Sequence, residues 1–205
     1  MTCIVAIRTA TSIAIAGDSL IVSGERIVSR TTKKYVALPN GWVIANSGLS
    51  SFRGLLTEAA RGKKLSLDGD VYSLCTSIRA YLKEVGYAAS SHSGVGLPGY
   101  DLGIAIINTG VPFVPCPGSP PLQGKDRWFR PPTIWIASGG DIWPKEMEID
   151  RPYGLGSGES HGEAGAWVAL KIGWGAFSSV RHGVEAAIEY DLNSGGEIWG
   201  MEIAL

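Results

Sequence analysis

The order of segments along this chain predicts an α+β fold. Two antiparallel sheets stack face to face, and a pair of helices covers the outer side of each, giving a four-layer αββα sandwich. Three observations predict it. Short runs rich in Ile, Val and Ala fill the first quarter of the chain. The hydrophobic period then switches to that of a helix, returns to strands, and switches again, each time for two helices in succession. No internal repeat and no break in composition divides the 205 residues, so 1–205 reads as one domain.

The elements follow in order. "TCIVAIRT" and "SIAIAGDS" are strands joined by a polar turn, and "GERIVSRTTKKYVAL" alternates more loosely. "PNG" at 39–41 signals a turn before the strand "WVIANS", so the first part resembles an antiparallel meander. In "LSSFRGLLTEAARG", Leu49, Phe52, Leu55, Leu56 and Ala59 share one helical face. In "GDVYSLCTSIRAYLKEVG", Val71, Leu74, Cys75, Ile78, Leu82 and Val85 do the same, and Gly86 closes the helix. "YDLGIAIIN" is a buried-type strand. The stretch 111–132 holds seven of the eleven prolines, a density that neither a helix nor a central strand tolerates. It reads as a long excursion. "TIWIAS", "MEID" at 147–150 and "YGLGSG" are further strands, then come helices in "HGEAGAWVALKIG" and "FSSVRHGVEAAIEYD". "GEIWGMEIAL" is the closing strand.

Composition excludes several classes of function. The net charge is -1 and no charge run stands out, so neither nucleic acid nor an anionic membrane is an expected partner. No window approaches the roughly 18 apolar residues of a membrane span. The start has no basic region leading into an apolar stretch, so no secretory leader is expected. Cys3, Cys75 and Cys116 are odd in number and far apart, which fits a reducing cytoplasm better than a disulfide framework. His92, His161 and His182 lack metal-ligand spacing, and no metal or required cofactor is expected. "YGLGSGESHG" fails the dinucleotide fingerprint, because Glu159 stands where the third glycine is needed.

The chemistry concentrates at the start, "MTCIVAI". Methionine is commonly trimmed before a small residue. Thr2 would then carry a hydroxyl nucleophile and a free α-amine, whose ordinary pKa of about 7.7–8.0 suits a general base at neutral pH. Asp18 ends the second strand, and Lys34 opens "KYVAL". A buried lysine beside the amine lowers the amine's pKa, and a carboxylate beside the lysine holds it in place.

With these residues in view, the chain resembles a proteasome β-type subunit or its bacterial heat-shock-locus relative, members of the N-terminal-nucleophile hydrolases. The resemblance rests on "TCIVAI", "AIAGDS", "RTTKKYVAL", "VIANSGLSS", "YGLGSGES" and "EYDLNSGGEI", in that order over nearly the whole chain. Counted from Thr2, Asp18 and Lys34 lie 16 and 32 residues on, at the family's spacings. The resemblance implies the Ntn-hydrolase fold and a threonine peptidase, an endopeptidase working inside a self-compartmentalised ring. It implies Thr2 as nucleophile and proton shuttle, Lys34 tuning the amine, and Asp18 orienting Lys34. It implies Gly48 as the oxyanion-hole N–H, and Ser157, Asp191 and Ser194 as the group that positions the terminus and a water. Ile21, Val22, Asn46 and Ser50 fall where relatives bind substrate, and Asn46 gives the pocket for the P1 side chain a polar floor. Leu49 stands where many relatives carry a second glycine. A ring homo-oligomer is implied, with an ATP-dependent unfoldase as a possible partner and unfolded protein or peptide as substrate. A structural cation near the Asp191–Gly196 turn is a further implication.

Two other readings compete. One is a proteasome-like ring subunit or scaffold without activity, for instance because Met1 stays in place. The other is an amidohydrolase with Cys3 as N-terminal nucleophile, which shifts Asp18 and Lys34 out of register by one residue.

Overall fold

A computed structural model describes residues 2–23, 26–87, 102–110, 132–138 and 143–205. All of the proline-rich excursion except Pro132 lies outside the described residues, as do Met1, His92 and Cys116.

The fold is α+β, with antiparallel sheets and four helices. One sheet has the order β10-β1-β2-β11, from Tyr153–Leu155, Ile4–Arg8, Ser12–Asp18 and Ile198–Ala204. The other has the order β5-β6-β7-β8-β9, from Tyr35–Leu38, Trp42–Ser47, Gly103–Asn108, Thr133–Ser138 and Lys145–Glu146. A separate ribbon pairs β3, Ile21–Ser23, with β4, Arg26–Ser29. The helices are α1 (Phe52–Arg61), α2 (Val71–Glu84), α3 (Glu159–Lys171) and α4 (Ala176–Tyr190).

Strand alternation decides which side chains meet. In β1 and β2, Ile4, Ala6, Ile13 and Ile15 join Val43, Ala45, Ala105, Ile107 and Ile134 of the other sheet in one apolar cluster. The alternate residues Val5, Ile7, Ala14 and Ala16, with Cys3, pack instead with Ala166 of α3 and Val180, Val184 and Ala187 of α4. Trp42, Ile44, Ile104 and Ile106 point the other way from their sheet, against Phe52 and Leu56 of α1 and Leu74 and Ile78 of α2. Strands buried on both faces explain why β1, β2, β6 and β7 read as continuous apolar runs.

Four expectations are corrected. The first strands are not one meander: β1–β2 and β5–β6 are hairpins in different sheets, with the β3–β4 ribbon between them. The strand expected at "MEID" lies two residues earlier, at Lys145–Glu146. Met147 is buried while Ile149 is 55% exposed, and Asp150 turns the chain with φ 58. The helix expected from Leu49 starts at Phe52, whose N–H reaches back to the Leu49 carbonyl at 3.2 Å. The strand expected over "YGLGSG" stops at Leu155, because Gly156 adopts φ 95.

The start of α2 obeys a local rule. The Asp70 carboxylate accepts the Ser73 N–H at 2.8 Å and so caps α2. Among the described residues no helix is long and apolar enough to cross a membrane.

Candidate active site

The end of the β1–β2 hairpin builds the centre of the site. The last pair of the ladder is Ile4 with Gly17. One step beyond, the Asp18 N–H donates to the Cys3 carbonyl at 3.0 Å, and the Cys3 N–H donates to Asp18 Oδ1 at 2.9 Å. That N–H belongs to the peptide bond joining Thr2 to Cys3, so the Asp18 side chain grips the backbone directly behind Thr2. The same Oδ1 accepts Lys34 Nζ at 2.8 Å. Oδ2 accepts the N–H groups of Gly195 at 3.0 Å and Leu20 at 3.2 Å. Trp199 closes the back, donating its indole N–H to the Asp18 carbonyl at 3.0 Å. Asp18 is fully buried, and Lys34 is 8% exposed. Burial pulls the Lys34 ammonium below the ordinary lysine range, against the opposing pull of the Asp18 charge and hydrogen bond.

Thr2 is itself buried. Its carbonyl lies against Gly156 so closely that a Cβ there would sit 2.0 Å from the Thr2 oxygen, and also 3.3 Å from Ser47 Cβ. Gly156 therefore touches both the Thr2 carbonyl and the end of β6. Gly48 follows Ser47 with φ 93, one residue past the last β6–β7 pair, Ser47 with Gly103, and it is exposed. The alternation of β1 puts Thr2 on the face of Ile4, toward the second sheet.

A second cluster sits between α3 and the end of α4. Asp191 Oδ2 accepts the hydroxyls of Ser157 and Ser194, each at 2.7 Å. Oδ1 accepts the Asn193 backbone and side-chain N–H groups at 3.2 and 3.3 Å. Burial on its own raises the Asp191 carboxyl, but the donors from Ser157, Ser194 and Asn193 together outweigh it and hold the carboxyl below its usual value. Gly158 joins this cluster to the chain start: a Cβ there would meet Ser194 Oγ at 2.9 Å and Cys3 Cβ at 3.0 Å.

The sequence-selected residues thus fall into linked groups. Asp18 and Lys34 meet at the Thr2–Cys3 peptide, Ser157, Asp191 and Ser194 meet one another, and Gly48 lies beside the Gly156–Ser47 contact. Ile21 and Val22 are half-buried on β3, and Ser50 is exposed between β6 and α1. Asn46 is buried at the end of β6, with its amide turned to the Leu49 carbonyl. Sequence reasoning missed Gly156, Gly158 and Trp199. The glycine density of "GLGSG" is the signal for the first two. For Trp199 there is none short of the fold, since it lies 181 residues from Asp18.

The Cys3 reading meets a physical obstacle. Its thiol sits with the α3–α4 cluster and faces the Gly158 carbonyl at 3.7 Å. Burial pushes the thiol pKa up, and the Asp18 and Asp191 charges add to the rise, the opposite of what a thiolate nucleophile needs. At the 191–196 turn each Asp191 carboxylate oxygen accepts two hydrogen bonds, and the Gly195 carbonyl accepts the N–H groups of Ser19 and Leu20.

The hydroxyl donors to Asp191 carry a pH prediction. A carboxyl held low in the folded state contributes stability that is present above its unfolded pKa of about 3.9, and that is lost as pH falls through the folded value. Ser157→Ala removes one of the two hydroxyl donors and raises the folded value. The unfolded value still sets where the acid loss begins, so the variant has less of this stability to lose, and its loss is complete at a higher pH than in the parent chain. Urea unfolding midpoints followed across the acid range read the shift, and coincident profiles would refute it.

No protein-family model matches the chain, and no curated protein sequence matches it either. Solved structures do match. Thiobacillus denitrificans BPH aligns over 100% of this chain and 98% of its own, with TM-score 0.70 and 20% identity. The same protein in complex with epoxomicin aligns over 100% and 99%, with TM-score 0.65 and 19% identity. Eukaryotic HslV from Trypanosoma brucei aligns over 100% of both chains, with TM-score 0.67 and 14% identity. The likeness runs end to end: this chain has the proteasome-like fold of BPH and HslV.

Proposed function

We propose that the chain is a threonine peptidase whose nucleophile is Thr2, exposed by removal of Met1. The observation that carries the proposal is the Asp18–Lys34 pair, closed on the peptide between Thr2 and Cys3. Structural pairs of this kind occur in many folds. This one is buried, grips the backbone directly behind Thr2, and involves a lysine whose pKa is lowered.

The chemistry follows from the residues. Thr2 Oγ attacks the scissile carbonyl while its proton passes to the Thr2 α-amine. The amine returns the proton to the departing nitrogen, leaving an ester on Thr2. Water, deprotonated by the same amine, cleaves the ester and restores the hydroxyl. Lys34 keeps the amine's pKa low by like-charge repulsion, and Asp18 fixes Lys34 and the backbone behind Thr2. The Gly48 N–H donates to the oxyanion, and the Asp191 cluster holds the terminus and the water. The three apolar clusters support a four-layer αββα order, in which the site opens at one end of the two facing sheets. A homo-oligomeric ring, substrates delivered by an ATP-dependent unfoldase, and a cytoplasmic setting belong to the same reading.

Epoxomicin, bound to BPH in one of the similar structures, is the probe. An epoxyketone that closes on both the hydroxyl and the amine of an N-terminal threonine labels protein beginning at Thr2. It leaves Thr2→Ala and Met1-retaining protein unlabelled. Intact mass reads the adduct and the state of Met1 together, and native mass gives the ring size. If protein beginning at Thr2 neither labels nor cleaves peptides, an inactive ring subunit is the surviving reading.

A further inference from the structure

Asn46 stands where the resemblance assigns a wall of the P1 pocket, yet its amide is engaged elsewhere. The residue is 7% exposed. Its side-chain N–H donates to the Leu49 carbonyl at 2.9 Å. A carbonyl only accepts, so the NH2 end of the amide must face it. The same Leu49 oxygen accepts the Phe52 N–H at 3.2 Å, at the start of α1. The loop Ser47–Gly48–Leu49 is therefore fixed at its far end by two donors, one from β6 and one from α1. At its near end, the Asn46 backbone N–H donates to the Lys34 carbonyl at 3.0 Å.

Building on the threonine-peptidase reading, we infer that Asn46 is a positioning residue for the oxyanion N–H of Gly48, and not a polar contact for the substrate's P1 side chain. Its backbone ties β6 to Lys34, one residue before β5, while its side chain closes the turn in which Gly48 sits at φ 93. That conformation sets where the Gly48 N–H points, and the anchored Leu49 carbonyl holds the loop's far end in it. The Leu49 side chain, partly buried against the cluster of Phe52 and Leu56, anchors the same end of the loop. One side chain thus sets the register between the group that tunes the nucleophile and the group that receives the oxyanion.

The test uses protein beginning at Thr2 and the variants Asn46→Asp and Asn46→Leu. Both match asparagine in size and remove the N–H donor, but they give a P1 pocket opposite characters. Peptides with acidic, basic and apolar P1 residues are compared, with active sites counted by end-point epoxomicin labelling so that misfolded protein drops out. A peptide boronate, whose tetrahedral adduct needs the oxyanion donor, gives a separate affinity. Loss of a whole oxyanion donor lowers kcat about 100- to 1000-fold, and a mispointed one is expected to cost about 10- to 100-fold. The expected result is that kcat falls by a similar factor for every P1 residue in both variants. KM stays within about twofold, and boronate affinity falls in step with kcat/KM. A changed rank order of P1 residues, with Asn46→Asp favouring basic ones, overturns the inference and restores the pocket-wall role. Unchanged kcat in both variants overturns it too. If the parent protein neither labels nor cleaves, the peptidase reading fails, and this inference with it.

Discussion

Asp18→Ala is expected to destabilise the fold by about 3–5 kcal/mol at neutral pH, the usual cost of removing one partner of a buried ion pair. The carboxylate accepts four hydrogen bonds, from Lys34 and from the N–H groups of Cys3, Leu20 and Gly195. Its loss leaves an ammonium facing a methyl group and three backbone donors without their acceptor. The pH dependence has a definite sign. Burial already holds Lys34 low, and the Asp18 charge and hydrogen bond are what pull it back up. Without them the folded value falls further below the ordinary lysine value of about 10.4. Between those two values the unfolded chain binds more protons, so stability rises with pH. The destabilisation by Asp18→Ala is therefore smaller in alkaline buffer than at neutrality.

Lys34→Met separates the two halves of the pair. It leaves the carboxylate with its three backbone donors, so its cost is below that of Asp18→Ala. The double variant removes the stranded ammonium and recovers part of the loss. Urea midpoints of the four proteins measure the coupling, and a strictly additive cycle would falsify a direct pair. Epoxomicin labelling gives the functional counterpart. Both single variants are expected to slow Thr2 capture by about 100- to 10,000-fold, the range for loss of acid–base assistance.

Much of the frame was legible because both faces of its central strands are buried. Ile4 to Ile7, Ile13 to Ala16 and Ile104 to Ile107 are apolar throughout, and their shortness and β-branched content assign such runs to buried strands rather than helices. The helices announced themselves by period, as with Leu74, Cys75, Ile78 and Leu82, all of which are buried. What escaped was pairing. Two-residue β9 is exposed along its length, so it carries no alternation to detect, and the apolar Met147 and Ile149 drew the reading two residues downstream. The split of the early hairpins between sheets depends on partners far away in sequence, which local pattern does not encode. The site divides in the same way. Asp18 and Lys34 were legible as titratable residues at matching spacings. The part played by Gly156 and Gly158 lies in backbone approach, and absent side chains leave only a composition signal. Asn46 was legible as a residue but not as a bond, because its amide partner is a main-chain oxygen three residues on.

Gly156→Ala is expected to damage the site more than its small size suggests. At φ 95 an L-residue is strained by about 1–3 kcal/mol. Its Cβ would lie 2.0 Å from the Thr2 oxygen and 2.8 Å from the Thr2 carbonyl carbon, both backbone atoms with no rotamer to change. Overpacking adds about 1–3 kcal/mol. Relief must come by moving the Thr2–Cys3 peptide, which Asp18 holds from the other side, or by moving β10, which pairs with β1 through Ile4 and Leu155. Either movement displaces the nucleophile. Gly86→Ala separates strain from displacement. Gly86 has nearly the same φ, 86, and a Cβ there would meet nothing within 4 Å, so it bears the conformational cost alone. In urea melts Gly156→Ala loses more than Gly86→Ala, by the overpacking share. In epoxomicin labelling, normalised to folded protein, Gly86→Ala keeps the parent rate while Gly156→Ala falls at least about tenfold, the factor that 1.4 kcal/mol of misplacement produces. Equal labelling by the two variants would show that the Thr2 backbone does not depend on Gly156 for its place.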